Sequence, residues 1–533
     1  MQTEKAIDVL IVGAGFAGLY MLYKARRMDL AALVIEAAPS VGGTWYHNRY
    51  PGARVDIQSM EYSFQFSEEL QQEWCWSERY SPQADLLRYA NHVADRFALR
   101  DGIRLNTRMS SASFDESAKL WRVSAANGET WSARHVVMAS GPLSTPNTPA
   151  FPGLDSFEGP VYHTADWPHQ PVDFTGKRVA VVGTGSSGVQ SIPLIAQQAS
   201  EMTVFQRTAA YAVPAHNGPL DRAFEARIKA DYAGFRARNA KMRGGFGSEL
   251  QPNPFSALSA SAEERQAIFE ERWQIGGFGI LGAFNDLLIN AQSNELLAEF
   301  VRGKIRSIVR DPQTAALLSP RQTIGCKRLC VDTGYYDTYN RPNVRLVDVS
   351  KQPIEAINPT GLSTGGTQYD FDALVLATGF DAMTGTLTRL DLRGRGGLAM
   401  RDKWRPGPVN YLGLTVAGFP NLFNVAGAGS TSAFTNVIVS IEHHVNWIAD
   451  CIGYLDAHGH ATIEPTAEAE AAWFDYVNQV AQQTLFLSCN SWYLGANIPG
   501  KARMFMPLAA GFPAYAEKCA EVASNGYQGF ELT

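Results

Sequence analysis

The chain has 533 residues, of which 45% are hydrophobic and 18% charged, so it can bury several cores and is expected to form two or three domains. A formal net charge of -6, with no dense run of Lys or Arg, excludes a broad positive field, so nucleic acid is not an expected partner. No segment has the roughly 18 to 20 unbroken apolar residues of a membrane span, and no leader pattern precedes the first strand, which predicts a cytoplasmic protein without a membrane partner.

The first predicted element is an apolar strand over residues 9–12, which runs into a turn containing Gly13, Gly15 and Gly18. A helical run and a second strand follow, and Glu36 ends that strand. This glycine spacing permits a tight turn and brings a helix N-terminus close to a pyrophosphate, while the carboxylate can accept hydrogen bonds from a ribose diol. The unit predicts a dinucleotide site; a purely conformational use of glycine is the alternative.

A second copy of this pattern begins with a strand over residues 179–182 and ends near Arg207. No acidic residue closes its second strand, and a guanidinium there suits a 2′-phosphate that a carboxylate would repel, so NADPH is predicted rather than NADH. A solvated surface arginine is the alternative for Arg207. Two such units in one chain imply hydride transfer from nicotinamide to flavin. The residues assigned to the second site are Gly183, Gly185, Ser186, Ser187, Gly188, Gln190, Arg207 and Thr208.

A helical insertion is predicted over residues 215–325, where the strand pattern gives way to helical periods. Ser261 and Glu264 have the spacing of a capping box, which marks a helix N-terminus. Farther along, apolar residues recur at three- and four-residue steps and so share one helix face. These residues are Leu297, Phe300, Val301, Ile305 and Ile308.

Strands resume over residues 344–349 and 373–377. A further strand runs into a glycine turn over residues 422–429, and a helix from Asn436 to about residue 452 follows. This order predicts an α/β fold with two Rossmann-like dinucleotide-binding domains, each interrupted by the other. The expected segments are 1–145 and 381–533 for the first domain, 146–214 and 326–380 for the second, and 215–325 for the insertion.

Residues 157–168 follow the pattern FxGxxxHxxxWP, with His163 and Trp167 at its fixed positions, directly before the second glycine turn. This segment resembles the signature of type I Baeyer–Villiger monooxygenases, and the resemblance covers nearly the whole chain. It is closest to the phenylacetone, steroid and cyclohexanone branch. Further similar stretches are residues 42–46, 48–56, 327–328, 377–381, 491–493 and 495–500.

The resemblance implies FAD in the first domain, NADPH in the second, and conversion of a ketone with O2 to an ester or lactone through a C4a-peroxyflavin. An N- or S-oxidising flavin monooxygenase shares both glycine turns and is the nearest alternative. A reductase or oxidase without oxygen transfer, and a nucleotide-sensing protein without turnover, are further alternatives. No metal is expected, and a monomer or weak homo-oligomer is expected.

The family chemistry needs a permanent cation beside the flavin, and the resemblance assigns that role to Arg328. Asp56 is implied to lie against Arg328, and Lys327 to reach the NADPH phosphate. An ordinary structural ion pair is the alternative for Asp56 and Arg328. Trp492 and Asn497 resemble residues of a mobile segment over the nicotinamide, with a buried aromatic as the alternative for Trp492. The residues assigned to FAD are Gly13, Gly15, Gly18, Glu36, Thr44, Trp45, Asp56, Tyr62, Met109 and Val437; those assigned to the substrate are Phe434 and Met506, with Val437 and Leu508 beside them.

Three positions depart from the family pattern: His47, Val55 and Ala428 stand where tryptophan, cysteine and proline are common. These departures bear on substrate fit more than on reaction type. His163 is expected to be structural rather than an acid or base, and Trp167 to pack or to act at a hinge.

The six cysteines are too sparse for a disulfide framework and form no CxxC pair, so reduced thiols are expected. Cys326 and Cys330 have a CxxxC spacing that suits no flavin-facing disulfide, which predicts two packed thiols.

Overall fold

The computed structural model describes residues 5–533. The strands are β1 (Lys5–Val12), β2 (Ala32–Ile35), β3 (Ile103–Arg104), β4 (Met109–Asp115), β5 (Leu120–Ala125), β6 (Thr130–Met138), β7 (Val161–His163), β8 (Arg178–Val182), β9 (Glu201–Gln206), β10 (Ala212–Pro214), β11 (Cys330–Asp332), β12 (Val344–Asp348), β13 (Ile354–Asn358), β14 (Gly361–Thr364), β15 (Thr367–Asp370), β16 (Ala373–Leu376), β17 (Asp391–Arg393), β18 (Leu422–Asn424), β19 (Ile463–Pro465) and β20 (Phe530–Leu532). The helices are α1 (Phe16–Arg27), α2 (Thr44–His47), α3 (Glu68–Glu73), α4 (Gln83–Arg96), α5 (Ser186–Gln198), α6 (Arg222–Ala230), α7 (Tyr232–Ala240), α8 (Ala262–Ile275), α9 (Ala291–Ile308), α10 (Pro312–Leu318), α11 (Tyr335–Thr338), α12 (Gly385–Arg389), α13 (Met400–Lys403), α14 (Val437–His458), α15 (Ala467–Gln482) and α16 (Phe512–Ser524).

The first sheet has the strand order β17-β4-β5-β6-β1-β2-β3, with β18 beside β6. Its β1, β2, β3 and β6 are parallel, whereas β5 is antiparallel to both neighbours. Val9, Leu10 and Ile11 of β1 are fully buried, because a central parallel strand is covered on both faces. The late strands β17 and β18 complete this sheet, so the chain returns to it from the second sheet.

The second sheet has the order β12-β9-β8-β16-β7, and all its pairs are parallel. Its strands come from both sides of the helical insertion, since β7 to β9 precede that insertion and β12 and β16 follow it. The predicted α/β class with two Rossmann-type domains is confirmed. The five segment boundaries stay predictions.

The helical insertion contains α6 to α10. Ser261 and Glu264 form the predicted capping box at the start of α8, with each side chain bonded to the other's backbone N–H. Leu297, Val301 and Ile305 of α9 are fully buried in the core that also contains the second sheet, which confirms the predicted apolar face. The insertion therefore packs on the second nucleotide-binding sheet.

Over residues 5–533, every helix is too short or too polar to cross a membrane. No group of three His, Cys, Asp or Glu side chains among these residues could hold a metal ion.

The prediction that all cysteines are reduced is wrong at two positions. Cys326 and Cys489 form a disulfide whose Cα atoms are 6.0 Å apart, although 163 residues separate them in the sequence. Cys330, the other half of the CxxxC spacing, is a buried free thiol. Local spacing could not reveal this bond, because its two halves meet only through the tertiary fold.

Candidate active site

The first glycine turn has the backbone geometry of a dinucleotide site. Gly13 has a φ of +106°, and a Cβ there would lie 2.7 Å from the Ala139 carbonyl oxygen. A Cβ on Gly18 would lie 1.8 Å from the Gly13 oxygen, so helix and turn touch only because both residues are glycine. The turn thus brings the first residues of α1 directly against the end of β1.

The same turn offers the donors and the acceptor that FAD requires. No side chain caps α1 at Gly15, so the N–H groups of its first turn face the turn with the positive end of the helix dipole. Glu36 is buried, and its carboxylate accepts backbone N–H groups of Ala14 and Ala38, both at 2.7 Å. These bonds fix the carboxylate beside the turn, where it fits a ribose diol, and the residues present therefore fit FAD.

The second glycine turn repeats this geometry. Gly183 has a φ of +110°, and a Cβ there would lie 2.4 Å from the Ala377 oxygen. A Cβ on Gly188 would lie 2.4 Å from the Gly183 oxygen, whereas one on Gly185 would meet nothing within 4 Å. No side chain caps α5 at Gly185, so its first N–H groups point toward open space that a pyrophosphate can enter.

Two cations lie near the end of the second unit. Arg207 follows β9 directly, and neither Arg207 nor Lys327 has an ion-pair partner within residues 5–533. Burial and then the charge of Arg207 lower the pKa of Lys327, so the two cations are close enough to repel each other. Gln206 ends the strand without a carboxylate. A 2′-phosphate would relieve this repulsion, and the residues present therefore fit NADPH.

A cavity of 1690 Å³ lies at the second glycine turn and extends to residues between 44 and 62, which follow the first unit. Of the residues assigned from the sequence, it is lined by Thr44, Trp45, Asp56, Tyr62, Gly183, Gly185, Ser186, Ser187, Gln190, Arg207, Thr208, Lys327, Arg328, Phe434, Val437, Trp492 and Asn497. Assigned residues that do not line it are Gly13, Gly15, Gly18, Glu36, Met109, Gly188, Met506 and Leu508. Most of the predicted site thus meets in one space.

Two of the residues that do not line the cavity are methionines packed in hydrophobic cores. Met109 begins β4 and is buried in the core of the first sheet. Met506, assigned to the substrate, is only 2% exposed and packs with Ala382, Met383 and Ala428. The contact between Met506 and the substrate stays a prediction, and the packing of this side chain does not support it.

Arg328 and Asp56 form a two-point ion pair at the cavity wall. Arg328 Nε donates to Asp56 Oδ2 at 2.6 Å, and Nη2 donates to Oδ1 at 2.9 Å. Nη1 donates to the Ala433 carbonyl at 3.0 Å, and the guanidinium lies 5.2 Å from the centre of the Phe278 ring. The charged group is therefore fixed in plane and orientation.

The electrostatics of the pair keep Arg328 charged. Burial disfavours the cation, but the charge and hydrogen bonds of Asp56 outweigh it, and the pKa of Arg328 is raised. A guanidinium has five N–H donors, and the bonds to Asp56 and Ala433 use three of them. Two donors have no partner among residues 5–533 and are available to a bound oxygen.

Other cavity residues escaped the sequence reasoning. Phe278 belongs to the helical insertion, and only the packing of that insertion brings it to Arg328. Tyr50 donates to Gln190 Oε1 at 2.8 Å and so ties the segment before Asp56 to α5. Burial raises the pKa of Tyr50 to about 12, so its hydroxyl stays a donor at neutral pH. No local pattern marks these contacts.

A stretch that we name the covering segment, residues 489–501, forms one wall of the cavity through Trp492 and Asn497. Asn497 Nδ2 donates to the Phe380 carbonyl at 2.7 Å, and Lys501 Nζ lies 2.7 Å from Asp381 Oδ1. Both partners lie in the turn that follows β16, at the carboxyl end of this strand of the second sheet. The segment is thus bound to the nucleotide side of the cavity.

His163 and Trp167, two of the fixed positions of the FxGxxxHxxxWP segment, have structural contacts. His163 Nε2 lies 3.0 Å from Thr378 Oγ1, and its Nδ1 accepts the Ala165 N–H at 3.0 Å. Burial lowers the pKa of His163. Trp167 is buried against Tyr162. Neither lines the cavity, which agrees with the structural role expected of both.

The three departures from the family pattern lie in different surroundings. Val55 is buried and lines the cavity beside Asp56. Ala428 packs next to Met506 outside the cavity, and His47 ends α2. Of these three residues, only Val55 therefore lines the cavity.

Comparisons with known proteins agree with this geometry. The family model for pyridine nucleotide-disulphide oxidoreductases matches residues 10–229. A Baeyer-Villiger monooxygenase of Pseudooceanicola batsensis is 41% identical over 99% of this chain and 97% of its own length. A phenazine N-monooxygenase of Lysobacter antibioticus is 40% identical over 98% of this chain and 97% of its own. A solved steroid monooxygenase bound to NADP is 51% identical, covers 99% of both chains and superposes with a TM-score of 0.94.

Two dinucleotide-binding turns, together with a fixed arginine at the wall of the cavity beside the second turn, are the arrangement expected of a flavin-dependent monooxygenase. The chain belongs to the Baeyer–Villiger monooxygenase family. Solved relatives hold FAD together with NADP, and the predicted cofactors FAD and NADPH are confirmed. The prediction of a flavin-dependent oxidoreductase is likewise confirmed, and Baeyer–Villiger oxygenation is supported over the N- or S-oxidising alternative.

Proposed function

We propose that this enzyme inserts one oxygen atom of O2 beside the carbonyl of a ketone, and that Arg328 governs this step. The observation that carries the proposal is the fixed guanidinium, which binds Asp56 at two points and keeps two unpartnered donors at the cavity wall. Bound FAD, once reduced by NADPH, supplies the chemistry of O2 activation. Arg328 holds the ketone oxygen and stabilises the negative charge that develops on it.

Asp56 acts through Arg328. Its two bonds set the plane of the guanidinium, and its charge offsets the cost of burying the cation. Arg207 and Lys327 anchor the 2′-phosphate of NADPH at the other end of the cavity. Trp492 of the covering segment lines the cavity and would exclude water from a nicotinamide bound there.

The substrate is proposed to be an apolar aryl or cyclic ketone. Phe434 stacks on Phe486 with ring centres 4.5 Å apart and meets Tyr493 at 4.9 Å, and all three line the cavity. Val437 begins α14 beside them. Together they form an aromatic wall (Phe434, Phe486, Tyr493) that favours apolar rings over small charged molecules.

A substrate panel tests this function. Purified enzyme with FAD and NADPH is given aryl ketones, cyclic ketones, keto acids and an aromatic N-heterocycle, and NADPH consumption is measured together with product identity. The expected result is ester or lactone formed in proportion to NADPH consumed. N-oxide formation without any ester would instead support the activity named for the phenazine N-monooxygenase relative. NADPH consumption that ignores every substrate would support an oxidase.

We infer also that the enzyme works in the cytoplasm as a monomer or weak homo-oligomer. The net charge of -6 and the supply of NADPH inside cells support this setting. Size-exclusion chromatography with light scattering at micromolar concentration tests the oligomeric part: a stable higher oligomer would contradict it.

A further inference from the structure

The disulfide joins two parts of the site whose relative position matters. Cys489 is the first residue of the covering segment, three residues before Trp492. Cys326 directly precedes Lys327 and Arg328. The bond therefore ties the residues that cover the nicotinamide site to the residues proposed to bind the NADPH phosphate and the ketone oxygen.

The covering segment also has non-covalent anchors near both of its ends. Tyr493 is buried against Phe434, with ring centres 4.9 Å apart, and its carbonyl accepts the Met506 N–H at 2.8 Å. Asn497 and Lys501 bind Phe380 and Asp381, whereas Trp492 begins a short 3-10 turn near the first end. Without the disulfide, the Trp492 end would keep the Tyr493 contacts but lose its covalent attachment to the segment that bears Lys327 and Arg328. A covalent bond between distant residues acts by limiting the arrangements that the chain can sample.

We propose that the Cys326–Cys489 disulfide positions the covering segment over the NADPH site, and that its reduction by a dithiol releases this segment and weakens NADP+ binding. The inference rests on the proposed NADPH site.

The exposure of the two cysteines determines which sulfur atom the dithiol attacks first. Cys326 is only 1% exposed, whereas Cys489 is partly exposed. A thiolate of the dithiol therefore attacks Cys489 Sγ, and the Cys326 sulfur leaves as a thiolate that takes up a proton. The second thiol of the dithiol then attacks the mixed disulfide and frees Cys489. Two electrons pass from the dithiol, which becomes a cyclic disulfide, to the protein, which gains two thiols.

Release lowers the fraction of molecules in which the covering segment is closed. If that fraction falls to about one tenth, the apparent Kd for NADP+ rises about tenfold. FAD binding is not expected to change, because Glu36 and the first glycine turn lie outside the cavity wall formed by the covering segment. A higher Kd for NADP+ with unchanged FAD binding therefore distinguishes release of the covering segment from general loss of structure.

The test compares FAD-loaded enzyme before and after treatment with dithiothreitol, and compares both with Cys489→Ser. Serine suits this partly exposed position, and Cys75→Ser at an exposed free cysteine outside the cavity is the matched control. The measurements are the Kd for NADP+, hydrogen exchange of residues 490–501, and the number of free thiols by mass spectrometry.

Dithiothreitol and Cys489→Ser are each expected to raise the Kd for NADP+ about tenfold and to speed exchange in the covering segment, while Cys75→Ser changes neither. Cys489→Ser is expected not to respond further to dithiothreitol. If two thiols appear but NADP+ binding and hydrogen exchange stay unchanged, the tether is contradicted and the NADPH site is not. Six free thiols in the untreated enzyme would contradict the tether in the same way. Failure of every form to bind NADP+ would instead contradict the proposed NADPH site on which the tether rests.

Discussion

Asp56 binds Arg328 through two hydrogen bonds of 2.6 and 2.9 Å, which come from adjacent donors of one guanidinium. The two residues are 272 positions apart in the sequence, so the fold, and not local spacing, creates the pair. These bonds leave two other N–H donors of the guanidinium without a partner among residues 5–533. Asp56 can therefore orient Arg328 while those two donors stay available to a ligand.

Replacing Asp56 with Asn tests whether this orientation matters. Asn has nearly the same shape but lacks the charge and accepts through one oxygen only. Loss of one charge-assisted hydrogen bond, worth about 1.5 to 3 kcal/mol, predicts a fall in kcat for ester formation of about ten- to a hundredfold. Reduction of the flavin by NADPH is expected to fall less. Equal losses in the two half-reactions would show that Asp56 supports the whole site rather than Arg328.

The coenzyme preference depends on Arg207. The wild-type enzyme is expected to prefer NADPH to NADH, and Arg207→Ala to reduce the ratio of the two kcat/KM values about tenfold or more through the KM for NADPH. Arg401→Ala, at an exposed arginine outside the cavity, is the matched control. A wild-type enzyme that used both coenzymes equally would contradict the assignment of Arg207 and Lys327.

Acid is expected to destabilise the protein through His135. This side chain of β6 is fully buried, neither ring nitrogen has a hydrogen-bond partner within residues 5–533, and burial lowers its pKa to about 4. The unfolded chain binds the proton at about pH 6.5, so the contribution to stability is complete above that pH and is lost as the pH falls toward 4, by about 1.4 kcal/mol per unit.

His135→Leu removes that titration while keeping an apolar side chain of similar size. Urea denaturation at several values between pH 5 and pH 7.5 measures the free energy of unfolding of both proteins. The wild type is expected to lose more stability than the variant below pH 6.5. Parallel pH profiles would mean that His135 does not titrate on unfolding.

Much of the site could be predicted because its parts have local signatures. The glycine turns, with Glu36 in one and Arg207 at the end of the other, are fixed by strand–turn–helix geometry that short stretches of sequence encode. Ser261 likewise marks the start of α8 through its capping box. The pairing of Asp56 with Arg328 came from the resemblance to a family, since no spacing rule connects them.

The remainder depended on contacts that only the folded chain creates. Phe278 reaches Arg328 because the helical insertion folds over the cavity, and Cys489 reaches Cys326 across 163 residues. Met506 shows the converse: its segment resembles a substrate loop, yet the side chain turns into a small core with Ala428. Side-chain direction in irregular segments has no periodic signature to read.

The most direct test of the central claim separates the two half-reactions of Arg328→Ala. Flavin bleaching by NADPH is followed anaerobically by stopped flow, and the reduced enzyme is then mixed with O2 and ketone while ester is quantified. Losing an oxyanion-stabilising donor typically costs about a hundred- to a thousandfold in rate, and a charged donor more. The variant is expected to bind FAD, to be reduced, and to form no detectable ester; Arg328→Lys is expected to recover little, because an ammonium lacks the planar fork. Ester formation by Arg328→Ala at the wild-type rate would contradict the account and leave Arg328 as a structural partner of Asp56.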